Sequence, residues 1–448
     1  MTHASSPIDR ISSNDLTVLA TDHGSVPMQM AAILEFDAAD APTFAQLEAV
    51  MAARIQRVPR LRQRLVWTPP GCGRPVWADD ADFTLARHLT QTVGLGGREA
   101  VLEIAADLAC TRLPLDRPPW TARWVRGATG GTSALVFVAH HVMADGLNGL
   151  AVLTALSDSG AGDGAPAPAP APFPRPMPGR RDLLIDAWRE RLATLAHLPA
   201  RLVGVVRGLR ELGVTARHGT QVASTSFNRP TGSTRRIATA AVPLKPVLDL
   251  AHARGCTVND LVLVAVSGAM ASTLRARGES PGPFVVSVPI SARPGTDVAR
   301  LGNAVGIVPI EVPSDPDPEV RLARVAAETA ARRGRARGSS AAPLGFALRA
   351  LGRTSLLQRY IDRQRRVNTF LSNMRGPAEP ISIAGHRAVS VVPFGLTPGN
   401  VGVCFAVVSY AGQLVVTLVA DPDVVPELDE LAGRLSDELR ALTESAPP

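Results

Sequence analysis

The chain has 448 residues, long for a single core and suited to two domains of ordinary size. Apolar residues make up 46% and aromatics 4%, a globular balance, and no run reaches the roughly 18 apolar residues of a spanning helix. The formal charge of +7 is carried by arginine, since Lys245 is the only lysine, and favours anionic partners; no recognised module points to nucleic acid. Met1 to Arg10 lacks a charged-then-apolar leader pattern, so the expected location is cytoplasmic. Four scattered cysteines (Cys72, Cys110, Cys256, Cys404) predict neither a zinc site nor a disulfide framework, and no metal is expected.

In chain order, Gln29 to Phe36 reads as a strand and Phe44 to Arg57 as a helix stopped before Pro59. Trp120 to Arg126 alternates and, across the turn Ala128 to Thr132, predicts a hairpin with the buried run Ser133 to Ala139. That run delivers His140-His141-Val142-Met143-Ala144-Asp145-Gly146, after which Asn148 is placed to cap a short helix to Leu156. Ser159 to Gly179, rich in Ala-Pro, predicts an extended linker. Beyond it Leu184, Trp188, Leu192, Leu195, Leu198, Leu202, Val206 and Leu209 recur every three or four residues among arginines. Such a stripe normally packs on the protein's own core, a reading ranked ahead of a helix lying on a membrane.

The second half opens near Ser224. Thr257-Val258-Asn259-Asp260 precedes a helical run from Leu261 to Leu274, and Phe284 to Ile290 reads as a strand. Val401 to Ser409 and Gln413 to Ala420 predict a hairpin around Ala411-Gly412, and Leu428 to Leu442 a terminal helix. Strands and helices mix throughout, so the fold class is α/β (α+β mixed sheets). The expected parts are an N-terminal domain over 1–158, a Pro/Ala-rich linker with crossover helices over 159–223, and a C-terminal domain over 224–448.

The histidine pair carries the chemistry. Side chains alternate along an extended segment, so His140 and His141 should face opposite ways and only one can enter a reaction channel. An imidazole titrates near neutrality and can take a proton from a hydroxyl. The bland alternative is a pair of satisfied surface histidines before an Asp-Gly turn.

Taken with further motifs, the chain resembles the bacterial wax ester synthase/acyl-CoA:diacylglycerol acyltransferase family, within the superfamily of chloramphenicol acetyltransferase and condensation domains. The matching pieces include Pro27-Met28, Pro59-Arg60-Leu61-Arg62, Pro114-Leu115-Asp116-Arg117 before Trp120, and the HHxxxDG segment. Val258-Asn259-Asp260, Gly302-Asn303, Leu371-Ser372-Asn373 and Leu418-Val419-Ala420-Asp421 follow in family order. Three departures bear on acceptor specificity: a shortened Pro114 to Trp120 segment, Gln29 where the family often has histidine, and Met374-Arg375 before Gly376-Pro377.

The resemblance implies two chloramphenicol acetyltransferase-like domains with a substrate channel between them. His141 is implied as general base, supported by His140, with Gly146 closing the motif. Asp145 is implied to be structural and paired with Arg293; the other reading is that it merely opens the turn. Asn259 either caps its helix or orders the acceptor side of the channel, and Asp260, Asn303 and Asn373 are implied along that channel. Acyl-CoA enters as substrate, with no cofactor. The acceptor is expected to be diacylglycerol or a long-chain alcohol, met peripherally at an anionic membrane or lipid-droplet surface. The alternatives are a condensation-type enzyme using another acceptor or a carrier-protein thioester, and a non-catalytic acyl-CoA or lipid-binding paralogue.

Overall fold

The computed structural model describes residues 8–94, 96–127, 131–144, 146–158, 172–196, 222–291, 305–333, 355–396 and 399–444. The first half runs α1 (Ser13–Thr21), β1 (Gln29–Asp37), α2 (Phe44–Arg54), β2 (Gln63–Val66), β3 (Val76–Asp79), β4 (Leu89–Gly94) and α3 (Gly97–Cys110). It continues through β5 (Trp120–Gly127), β6 (Thr132–His140), α4 (Gly146–Leu156) and α5 (Arg180–Ala196). The second half runs β7 (Arg236–Pro243), α6 (Leu244–Ala253), α7 (Val258–Ala276), β8 (Phe284–Ser291), β9 (Val305–Val312), α8 (Pro318–Arg333) and α9 (Ser355–Ile361). It closes with β10 (Thr369–Arg375), β11 (Ser382–Ile383), β12 (His386–Arg387), β13 (Ser390–Gly395), β14 (Val403–Tyr410), β15 (Gln413–Ala420) and α10 (Leu428–Glu444).

Two larger sheets organise the molecule, in the orders β13-β1-β6-β5-β4 and β7-β15-β14-β10-β8-β9. The predicted hairpin β5–β6 forms, with Trp120 opposite Ala139. The apolar run of β6 is continuous because both of its faces are covered. Ala134, Val136 and Val138 pack with α3, whereas Leu135, Phe137 and Ala139 pack with residues of α2 and α4. β15 shows the same division with period two: Leu414, Val416 and Leu418 join α7 and α10, while Val415 and Val419 meet the cores of the first sheet. The β14–β15 turn places Ala411 at φ 46 and Gly412 at φ 80, the left-handed pair that a two-residue hairpin requires.

The halves interlock rather than abut. β13 comes from the second half, yet it pairs with β1 of the first sheet, Ile33 opposite Val392. Tyr410 of β14 reaches the same sheet, its hydroxyl donating to the Ala388 carbonyl and accepting the Ile381 N–H, both at 2.8 Å. Arg98 of α3 bridges Glu35 on β1 (2.7 Å) and Thr239 on β7 (3.0 Å). The expected boundary at 223 therefore separates no closed sheet from another.

Three local expectations change. α4 begins at Gly146, so Asn148 lies inside its first turn instead of capping it. The cap of α7 is Thr257, in a reciprocal pair with Asp260, which removes the capping role considered for Asn259. On α5 the buried side chains are Leu183 and Ala187, while Trp188, Leu192 and Leu195 are about 57–61% exposed. The core reading of that stripe holds for Leu184, which packs beside Cys72, Val76 and Leu183, and fails for Trp188, Leu192 and Leu195; Leu198, Leu202, Val206 and Leu209 lie outside the described residues.

A fragment ending at residue 223 would lack β13 and Tyr410, leaving one edge of β1 and part of its core bare. It is expected to bind hydrophobic dye and to show no cooperative melting transition, unlike the full chain. A sharp transition in the isolated fragment, followed by circular dichroism, would contradict the interlocked arrangement.

Candidate active site

β6 ends at His140, directly across from Gln29 on β1. The His140 side chain is fully buried, and both ring nitrogens are engaged. Nδ1 accepts the Val142 N–H at 3.0 Å, so the ring proton sits on Nε2, which donates to Asp22 at 3.1 Å. This arrangement bends the chain sharply after the strand. The Met143 N–H donates to the His140 carbonyl (2.9 Å) and the His141 N–H to the Met28 carbonyl (2.8 Å). His141 therefore occupies the turn, partly buried, with its Nδ1 shielded from solvent.

Asp22, at the C-terminal end of α1, holds this turn together. Its carboxylate accepts from His140, from the Met28 N–H at 2.8 Å, and from Arg112 at 2.5 Å. Burial alone would raise the Asp22 pKa, but the bonds from His140, Met28 and Arg112 outweigh it and hold the carboxyl below the usual range. Gln29 fills the adjoining buried space. Its amide donates to the Ala109 and Thr111 carbonyls at the end of α3 and accepts the Leu113 N–H. The departure from the family histidine at this position thus supplies an uncharged helix-end clamp. On the other side, a Cβ at Gly149 would stand 3.1 Å from the Met30 methyl, so a glycine lets α4 sit close against β1.

A second group assembles in the other sheet. Asn259, in the first turn of α7, and Asn373 on β10 lie 114 positions apart in sequence, with a 3.5 Å contact between their side-chain amides. Asp260 is buried and accepts the Thr257 N–H at 2.8 Å, so one of its oxygens serves the helix cap. Asp145, Arg293 and Asn303 lie outside the described residues, and Gly146 opens α4. Asp22, Arg112 and Gln29 carry structural weight that the sequence reading did not assign to them. Gln29 had a signal, as an oddity after Pro-Met. Asp22 had none, because nothing in its neighbourhood announces a histidine 118 positions away.

Asp22→Asn should destabilise the fold by about 1.5–3 kcal/mol near neutral pH, the usual range for hydrogen bonds to a charged group. Because the folded carboxyl is depressed, its contribution is complete above the ordinary carboxylate range and is lost as pH falls through the folded value. Thermal melts of wild type and variant should therefore converge in acid; a gap independent of pH would show that the Asp22 charge contributes nothing.

Comparison with known proteins agrees with this architecture. The wax ester synthase/diacylglycerol acyltransferase catalytic-domain model matches residues 11–262, and the C-terminal-domain model of the same family matches 301–443. A putative diacylglycerol O-acyltransferase of Mycobacterium tuberculosis is 30% identical over 98% of this chain and 90% of its own length. A probable diacylglycerol O-acyltransferase of that species is 28% identical, covering 94% of this chain and 92% of its own. Among solved structures, the wax ester synthase/diacylglycerol acyltransferase of Marinobacter aquaeolei superposes with a TM-score of 0.67 at 20% identity, covering 97% of this chain and 98% of the other. The first condensation domain of the calcium-dependent antibiotic synthetase gives 0.64 at 18% identity, covering 99% and 97%. These two similarities describe the fold, whereas the family models span most of the sequence: the chain belongs to the wax ester synthase/diacylglycerol acyltransferase family.

Proposed function

We propose that the chain transfers a long-chain acyl group from acyl-CoA directly to the hydroxyl of a lipid alcohol, diacylglycerol or a fatty alcohol, with His141 as general base. The observation that carries this reading is the full engagement of His140. With both nitrogens of that ring bonded inside the protein, His141 is the remaining imidazole of the motif for acid–base work. Its shielded Nδ1 suits a ring that presents Nε2 to substrate.

In this scheme Nε2 of His141 removes the acceptor proton as the alcohol oxygen bonds to the thioester carbon. The carbonyl π pair moves onto oxygen, giving a tetrahedral oxyanion. Its collapse breaks the carbon–sulfur bond, and the coenzyme A thiolate takes the proton back from the imidazolium. Holding both substrates in one channel removes most of the entropic cost of their encounter. Direct transfer also suits the cysteines: Cys72 and Cys404 are buried, and burial pushes the Cys110 thiol up, away from a nucleophilic thiolate.

The remaining motif residues take supporting parts. Asp145 pairs with Arg293 to fix the loop, and Asn259 with Asn373 orders the acceptor side, joined there by Asp260 and Asn303. Acyl-CoA is a substrate, and no resident cofactor takes part. The family models favour lipid acceptors over a carrier-protein thioester. The insoluble acceptor is met peripherally, at an anionic lipid surface, a reading compatible with described residues in which no single helix is long and apolar enough to cross a membrane.

His141→Ala should lower the rate of coenzyme A release by about 10²–10⁴ with an unchanged melting temperature. His140→Ala should retain more activity yet melt earlier, because it strands the Asp22 carboxylate and the Val142 N–H. Equal, severe losses of rate at both positions with wild-type melting would contradict a single base.

A further inference from the structure

On α5 (Arg180–Ala196) two acids are paired with the rest of the protein, while Asp182 in its first turn is exposed. Asp186 turns inward to Arg10 (2.6 Å) and Glu190 turns inward to Arg74, beside the buried Leu183 and Ala187. On the opposite face Ile185, Trp188, Leu192 and Leu195 follow helical spacing and are 42–61% exposed. Arg180, Arg181, Arg189 and Arg191 are all exposed, and none of them forms an ion pair among the described residues. Arg191 instead lies over the Trp188 ring, 5.2 Å from its centroid.

The loop beneath the helix follows a second exposed tryptophan. Arg191 donates to the Gly71 carbonyl, and a Cβ at Gly71 would meet Leu184, so α5 rests on the segment that follows Trp67. Trp67 is 64% exposed. The chain has five tryptophans: Trp77, Trp120 and Trp124 are buried, and the two exposed ones are Trp67 and Trp188. Tryptophan favours the boundary between water and acyl chains, where its ring is half solvated.

The geometry points to the exposed face of α5 as the surface that docks the enzyme on an anionic lipid bilayer. The inference rests on the proposed use of lipid substrates and names where the protein meets them. The excess of exposed arginine on α5 over its one exposed acid outside an ion pair, Asp182, is what selects this occupant. An apolar face made for a second copy of the chain would bring Arg181 and Arg189 against their own copies, whereas anionic headgroups neutralise them and the tryptophan and leucine side chains enter the acyl region.

The test uses the full chain with vesicles of phosphatidylcholine alone or mixed with phosphatidylglycerol. Wild type should float with the mixed vesicles, and salt should reverse this by screening. Trp188→Ser with Leu192→Ser should weaken flotation about tenfold, and Arg181→Ala with Arg189→Ala by a similar factor. Melting temperature and transfer between a water-soluble acyl-CoA and a short alcohol should stay unchanged, while transfer to vesicle-borne diacylglycerol falls with binding. Variants that float like wild type, or equal binding of wild type to neutral vesicles, would overturn the inference. So would a dimer that dissociates on the Trp188 and Leu192 substitutions. If no transfer occurs with either substrate pair, the functional reading fails while flotation still judges the surface.

Discussion

A buried histidine with both nitrogens committed is the constraint on which the rest of the site depends. His140 has no exposed surface, so each unpaired ring nitrogen would cost about 1–3 kcal/mol. The protein meets that demand with Asp22 on one side and the Val142 N–H on the other. Satisfying the ring forces the turn after β6, and the turn sets the position of His141. Arg112 and the Met28 N–H hold Asp22 in place, so three distant segments converge on one carboxylate. Within the motif the first histidine organises the turn, and the proposed mechanism gives the acid–base role to the second.

The interlocked sheets give that turn a rigid base. β1 lies between β6 and β13, so the strand opposite His140 is fixed on both edges by different halves of the chain. Tyr410 and Arg98 add polar ties between the sheets, each with its hydrogen bonds satisfied by named partners. In the other sheet α7 is buried over 14 of its 19 residues, which pins the first turn that carries Asn259. The proposed proton transfer would tolerate little drift, and this arrangement supplies stiffness.

Much of this was legible in the sequence, for local reasons. The β5–β6 hairpin, the Ala411-Gly412 turn and the terminal helix follow from periodicity and turn chemistry acting over a few residues. Strand alternation predicts different surroundings for His140 and His141, but the strand ends at His140 and it is the turn that sets His141 apart. What escaped was non-local. No pattern around Asp22 reports that it meets His140, and none in Ser390–Gly395 reports that it joins the first sheet. The stripe on α5 misled because period 3.6 identifies an apolar face without saying what faces it. Asp186 and Glu190 decide that point, since their partners Arg10 and Arg74 lie on the protein side.

Chemically, the account assigns a neutral, locked imidazole to position 140 and a proton-carrying one to position 141. Nitrogen NMR of ring-labelled histidine at neutral pH, with His140→Gln used for assignment, reads the first half of that statement directly. The account predicts a proton-bearing Nε2 and a bare, hydrogen-bond-accepting Nδ1 for His140. A proton found on Nδ1 of His140 would contradict it, because the Val142 N–H could then no longer donate to that atom and the turn presenting His141 would lose its anchor.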